Sequence, residues 1–271
     1  MVDIDGAIGF VVAHGDQVDR ARLSWLRSGV PPQPDILAKA EMGPAPEGGW
    51  PAFWGGERAS VDATCFRLSE LDDLGALGRP PAQRALDWLA GRQRPDGFWE
   101  EDETLADSAP PWARPGDPEA RLYLTANAGF WLAVGGATGP DQSGSPQQAP
   151  YAEAVARATQ TFRASMREDG TWPSYLIAGW LGGALLYHAG WYYEAAQIQV
   201  LLAERVPDMT PADVAWLAVA FRRVGMSQDD SLMVAARKRL TETQRTDGGW
   251  PSDDGAAFDV HTTLAAIRAV R

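Results

Sequence analysis

Apolar residues recur at three- and four-residue spacing along most of the chain, the period of helices that bury one face. AQRALDWLAGRQ (82–93), AVARATQTFRASM (154–166) and LMVAARKRLTETQ (232–244) show it clearly, and their Ala, Leu, Arg and Gln favour helix. Helices with a polar face are expected at 16–28, 34–42, 80–93, 150–167, 191–206 and 228–245. Between them come more apolar segments, at 4–14, 60–77, 121–135, 174–189, 211–225 and 258–270. The alternation predicts six inner helices, buried on most sides, and six outer ones. The Pro-, Gly- and acid-rich stretches at 100–118 and 136–149 are too polar to pack and are expected to lie over one end. One run, Tyr175 to Tyr193, has no charge except at His188. It is long enough to span a bilayer, but its four glycines and polar flanks favour a buried inner helix.

A repeat organises this alternation. Four loops end alike: PEGGW at 46–50, PDGFW at 95–99, EDGTW at 168–172 and TDGGW at 246–250. The last three follow a helix and share the frame Gln/Met-x3-Gly-x-Trp, beginning at Gln93, Met166 and Gln244. The glycine is expected to end the helix, since it accepts the left-handed geometry of a C-cap. The Gln side chain can bond backbone at the end of its own or a neighbouring helix, and the Trp would cover that junction. Helices opening with a polar residue and Thr then follow, as in SVDATCFRLSEL (60–71), YLTANAGFWLAV (123–134) and FDVHTTLAAIRAV (258–270).

Composition narrows the function. The chain carries a formal charge of −12, and only Lys39 and Lys238 among its 24 basic residues are lysines. Such a surface repels phosphate backbones, which argues against nucleic-acid binding. The single cysteine, Cys65, leaves no internal disulfide and no CxxC metal site. Asp3 and Asp5, with no basic segment, do not read as a signal peptide, so a cytoplasmic location is expected. Twelve Trp against eight Phe and six Tyr is unusual. Aromatic rings fill cores and present negative π faces, so the excess fits thick packing or an apolar cavity that handles cations.

The Gln–Trp loops followed by Asp-x-x-Thr helices resemble the squalene–hopene cyclase and prenyltransferase superfamily, and the pattern covers nearly the whole chain. The resemblance implies an all-α (α/α)6 toroid of alternating inner and outer helices, with residues 1–271 forming one domain. It further implies an isoprenoid as small-molecule substrate, and is compatible with peripheral contact at a membrane.

Within that resemblance, Ser60-Val61-Asp62-Ala63-Thr64 stands where class II cyclases carry D-x-D-D-T. Asp62 falls on the proton-donating position, while Ser60 and Ala63 replace the flanking aspartates. A class II-like terpenoid cyclase would use Asp62 to protonate a polyprenyl chain and guide the carbocation through an aromatic-lined cavity. The competing reading makes Asp62 a helix N-cap, with Asp259 in the same place before Val260 and His261. A non-catalytic isoprenoid-binding or accessory protein on the same fold is then the alternative. His188 would orient or reprotonate the acid, or else be a core histidine. Phe66, Tyr123, Trp131, Trp180, Tyr187, Trp216 and His261 are the candidate cavity lining, with core packing as their other use.

No cofactor is called for by the cyclase reading. Magnesium would need the class I DDxxD cluster, which Asp72-Asp73, Asp229-Asp230 and Asp253-Asp254 do not complete. Zinc would fit a prenyltransferase-like trio of Asp62, Cys65 and His261, although the Asp-to-Cys spacing is one residue longer than in that family. The run Glu100-Glu101-Asp102-Glu103 reads as a solvated face.

Overall fold

The computed structural model describes residues 1–137 and 149–271, and among these the regular structure is helical. The helices are α1 (Ile4–His14), α2 (Gln17–Ser28), α3 (Pro34–Ala40), α4 (Val61–Asp72), α5 (Pro80–Gly91) and α6 (Pro118–Ala137). They continue with α7 (Ala152–Ser165), α8 (Leu176–His188), α9 (Tyr192–Arg205), α10 (Pro211–Arg223), α11 (Ser231–Thr243) and α12 (Asp259–Val270). All twelve coincide with expected segments, though most are shorter. The helix expected over 60–77 stops at Asp72, where Gly75 turns left-handed and Ala76 N–H bonds back to the Leu71 carbonyl. Most of the loop expected at 136–149 lies outside the described residues.

The chain divides into two compact units, Glu41–Ile198 and the pair of segments Met1–Ala40 with Gln199–Arg271. In the first unit α6 packs beside α4 and α8, with α5 and α7 behind it. In the second, α12 packs beside α10 and α2, with α11 and α1 behind. Helix α1 takes the Gln244 bonds at its start as α7 takes that of Gln93, so the expected inner place of 4–14 and outer place of 16–28 are exchanged. Helices α6, α8, α10 and α12 are buried along most of their length, whereas α1 buries only Ala7, Phe10 and Val11, and α2 only Arg22 and Leu23. In α6, every residue from Leu122 to Gly135 is buried.

The repeated loops explain this layering. In all four, the main chain closes the same turn: Gly97 N–H donates to the Arg94 carbonyl and Arg94 N–H to that of Phe98, with matching pairs around Gly48, Gly170 and Gly248. These four glycines have φ between 80° and 116°, a region that disfavours a side chain. They do not cap the helices, as the sequence led us to expect. Helices α5, α7 and α11 end a few residues earlier, at Arg92, Met166 and Gln244. The glycine serves the turn.

Each Trp then joins two layers. Trp99 Nε1 donates to the Leu89 carbonyl of α5 (2.8 Å), while its main-chain N–H donates to Thr125 Oγ1 of α6 (3.0 Å). Trp250 does the same with Leu240 of α11 and Thr263 of α12, and Trp50 with Met42 and Thr64 of α4. The glutamines stitch along the outer layer. Gln93 Nε2 donates to Gly97 in its own loop and to Ala154 in the first turn of α7. Gln244 likewise bonds Gly248 and both main-chain groups of Asp3, the N-cap of α1.

The third loop departs from this scheme. Met166 replaces the Gln, and Trp172 donates to Tyr175 within its own loop. Its ring instead fills the space over Gly179, where a Cβ would overlap it. Gly182 makes room in the same way for the Phe162 ring of α7. These contacts account for two of the four glycines of the long uncharged run, which is not one helix. It ends α8 at His188, turns at Gly190 (φ 81°) and begins α9 at Tyr192. Among the described residues, no helix is long and apolar enough to cross a membrane.

Candidate active site

The Trp–Thr bonds place the helices of the repeat in register. Thr64, Thr125 and Thr263 are equivalent, so Ser60 corresponds to Asp259, and Asp62 to Tyr123 and His261. This corrects the expected equivalence of Asp62 with Asp259. The N-cap of α4 is Ser60, whose side chain accepts from Ala63 N–H (3.1 Å). Asp259 supports its own loop, accepting from Ser252 N–H and pairing with Arg245. The Asp62 side chain therefore does no capping and is free to project from the first turn of α4.

Two side chains hold it. Tyr123 Oη donates to Asp62 Oδ1 at 2.6 Å, and Trp112 Nε1 donates to Oδ2 at 3.1 Å. Behind Tyr123, Asn127 Nδ2 donates to the phenol oxygen at 3.1 Å, which leaves the hydroxyl hydrogen for the carboxyl group. Tyr123 and Asn127 lie one turn apart on α6 and are both buried. Removal from water pushes the Asp62 carboxyl above the ordinary aspartate range, and the bonds from Tyr123 and Trp112 oppose that rise. Burial and the neighbouring Asp62 push the Tyr123 phenol well up, so it stays a donor. Cys65, one turn along α4, is fully buried, and its thiol is also pushed well up by burial and by Asp62 and Glu101.

Beneath Asp62 sits a second carboxyl group. Glu101 accepts from Ser60 Oγ (2.7 Å), Val61 N–H (2.9 Å) and Asp62 N–H (3.0 Å), closing off the start of α4. It is only 4% exposed. The run 100–103 is therefore not the solvated face expected from its charge. The polar segment that follows also packs, with Leu105, Ala109 and Ala113 buried, and it carries Trp112 to Asp62. Two of the residues around Asp62, Glu101 and Trp112, were thus not among the candidates. A signal for the first was present: Pro follows Trp50, Trp172 and Trp250, whereas Glu100 and Glu101 follow Trp99.

Desolvation raises the Glu101 pKa from 4.5 to about 7, against the pull of its three donors. The folded protein thus holds this proton more tightly than the unfolded chain. The resulting stability is fully present below about pH 4.5 and is lost as pH rises to about 7. Denaturant titrations from pH 5 to 8 are expected to show wild type losing stability relative to Glu101→Gln across that window. Parallel pH dependences would show that Glu101 does not titrate there.

The remaining candidates are dispersed. Phe66, one turn beyond Asp62 on α4, is 44% exposed, and Trp112 is 43% exposed, so aromatic surface remains open beside the acid. Trp131 and Trp180 are buried, Trp131 packing edge-on against Phe130. Tyr187 packs edge-on against Tyr192 where α8 meets α9. His188 is exposed at the end of α8, with its pKa lowered by partial desolvation. The two hydrogen bonds to the Asp62 carboxyl come from Tyr123 and Trp112, not from His188. Trp216 and His261 belong to the other unit, where His261 Nδ1 lies 2.9 Å from Arg22 Nη1. Among the described residues, no three His, Cys, Asp or Glu side chains are grouped to hold a metal ion.

No family model matches the chain, and no curated protein matches it in sequence. Solved structures do. A protein from Actinoplanes aligns with 99% of this chain and 97% of its own, at 16% identity and a TM-score of 0.63. The type II terpene cyclase MstE from Scytonema, in a variant complexed with its product merosterolic acid A, aligns over 98% of this chain and 94% of its own, at 15% identity and a TM-score of 0.60. Another MstE variant, complexed with its substrate geranylgeranyl dihydroxybenzoate, aligns over 98% and 86%, at 16% identity and a TM-score of 0.54. The chain thus has the all-helical fold of a type II terpene cyclase.

Proposed function

We propose that the protein is a class II-like terpenoid cyclase in which Asp62 protonates a linear prenyl chain. The observation that carries this reading is the Asp62 carboxyl itself: half-buried, raised in pKa, and bonded on both oxygens by neutral donors. Burial favours the protonated acid before reaction. Tyr123 and Trp112 then stabilise the carboxylate formed when it leaves, which makes a proton transfer to carbon less uphill. A salt bridge in their place would hold the acid ionised and useless as a donor.

In the proposed step, the π electrons of a substrate alkene take the Asp62 proton, forming a C–H bond and leaving a tertiary cation. A further alkene of the same chain attacks that cation and closes a ring. The partly exposed Trp112, which bonds Asp62, and Phe66, one turn along α4, would offer negative π surface to the positive charge. A final proton loss or capture of a nucleophile ends the sequence. The fold likeness to MstE, which is complexed with a geranylgeranyl-bearing substrate, supports an isoprenoid as the molecule taken. No metal or cofactor enters these steps.

The test is incubation with linear prenyl substrates, free and attached to an aromatic acid, in deuterated buffer. A cyclised product with one deuterium on the carbon that Asp62 protonates is expected. Recovery of every substrate unchanged would overturn the reading and favour a protein that binds isoprenoids without converting them.

A further inference from the structure

The role of Asp62 leaves Glu101 unexplained, because a buried carboxyl is costly and a serine cap already serves α4. Its geometry is specific. One oxygen takes Ser60 Oγ and Asp62 N–H, and the other takes Val61 N–H. These two main-chain groups open α4, where the positive end of the helix dipole would otherwise favour an ionised Asp62. We propose that Glu101 is the positioning residue of Asp62: it fixes the turn from which the acid projects and shields the acid from the helix terminus. The inference rests on the reading of Asp62 as the proton donor.

The electrostatics agree with that geometry. Two carboxyl groups this close resist carrying two negative charges, so their titrations are coupled and the pair keeps one proton over a range of pH. Burial and the charge of Asp62 together push Glu101 up to about 7. The coupling is mutual, so ionised Glu101 makes Asp62 hold its proton longer. The other ionisable groups facing the pair are Cys65 on α4 and Tyr123 on α6, both with raised pKa values. Glu100 and Asp102, on either side of Glu101, are instead paired with arginines: Glu100 with Arg94 and Arg121, Asp102 with Arg58 and Arg92. They leave Glu101 to the start of α4.

The decisive experiment follows the Asp62 carboxyl carbon by NMR as a function of pH, assigned by its absence in Asp62→Asn. In wild type its titration should show an upper limb reaching toward pH 7. In Glu101→Gln that limb should vanish, leaving a single step at lower pH. The variant's kcat at neutral pH should fall roughly tenfold with KM unchanged. Superimposable Asp62 titrations in the two proteins would overturn the inference. Should Glu101→Gln fail to fold, Glu101→Asp retains the charge and should retain the upper limb; a single step there would overturn the inference equally. Loss of the limb in a protein that turns over no prenyl substrate would sink the cyclase reading and leave the coupling standing.

Discussion

Asp62→Asn is expected to lower the rate of prenyl cyclisation by roughly 10²–10⁴-fold, the usual contribution of a positioned general acid. The amide is nearly isosteric and keeps one oxygen to accept from Tyr123. Its nitrogen would face the Trp112 N–H, a donor against a donor, at a site where both residues are partly open to water. The stability change should therefore stay within about 1 kcal/mol. Loss of activity with an unchanged unfolding curve is the expected pair of results. In wild type the rate should be highest at low pH and fall as Asp62 ionises, because only the protonated acid can donate. Its raised pKa carries that limb upward from the ordinary aspartate range. Product formation that survives Asp62→Asn would place the acid elsewhere in the chain.

The fold and this site were legible to different degrees, and the reasons are physical. Helix period and the Gln–Trp loops are local signals, and a repeat multiplies each of them. Trp99 and Trp250 bond alike because their neighbours in sequence are alike. Asp62 was visible because a short motif surrounds it. Glu101 and Trp112 were not, because what gives them meaning is contact across 39 and 50 residues. Charge composition misled at 100–103, where one glutamate of four residues is withdrawn from water by the helix start it covers. The uncharged run at 175–193 was legible as the end of a buried inner helix and the start of an outer one, as α8 and α9 are. What the sequence does not separate is the work of its glycines: Gly179 and Gly182 admit neighbouring rings, and Gly190 makes the turn between α8 and α9.

The same contrast between local and distant contacts sets the largest expected loss of stability. Trp99→Ala is expected to cost about 3–5 kcal/mol, the range for removing a large aromatic from a packed core. Trp99 is fully buried, and its Nε1 bond to Leu89 is the link from the loop back to α5. Truncation leaves a cavity between α5 and α6 and removes the side-chain bond to the Leu89 carbonyl, which keeps only its bond from Arg92 N–H. The main-chain bond to Thr125 survives on paper, but the turn that presents it loses its anchor. Trp112→Ala is the control. That ring is 43% exposed, so its loss should cost far less stability while weakening the hold on Asp62. Urea unfolding of the two variants should therefore rank Trp99→Ala well below Trp112→Ala. Equal midpoints would mean that the Trp loops decorate the helices without joining them. Because Glu101 lies two residues beyond Trp99, the destabilised variant should also lose the upper limb of the Asp62 titration, tying the repeat that builds the fold to the carboxyl pair it carries.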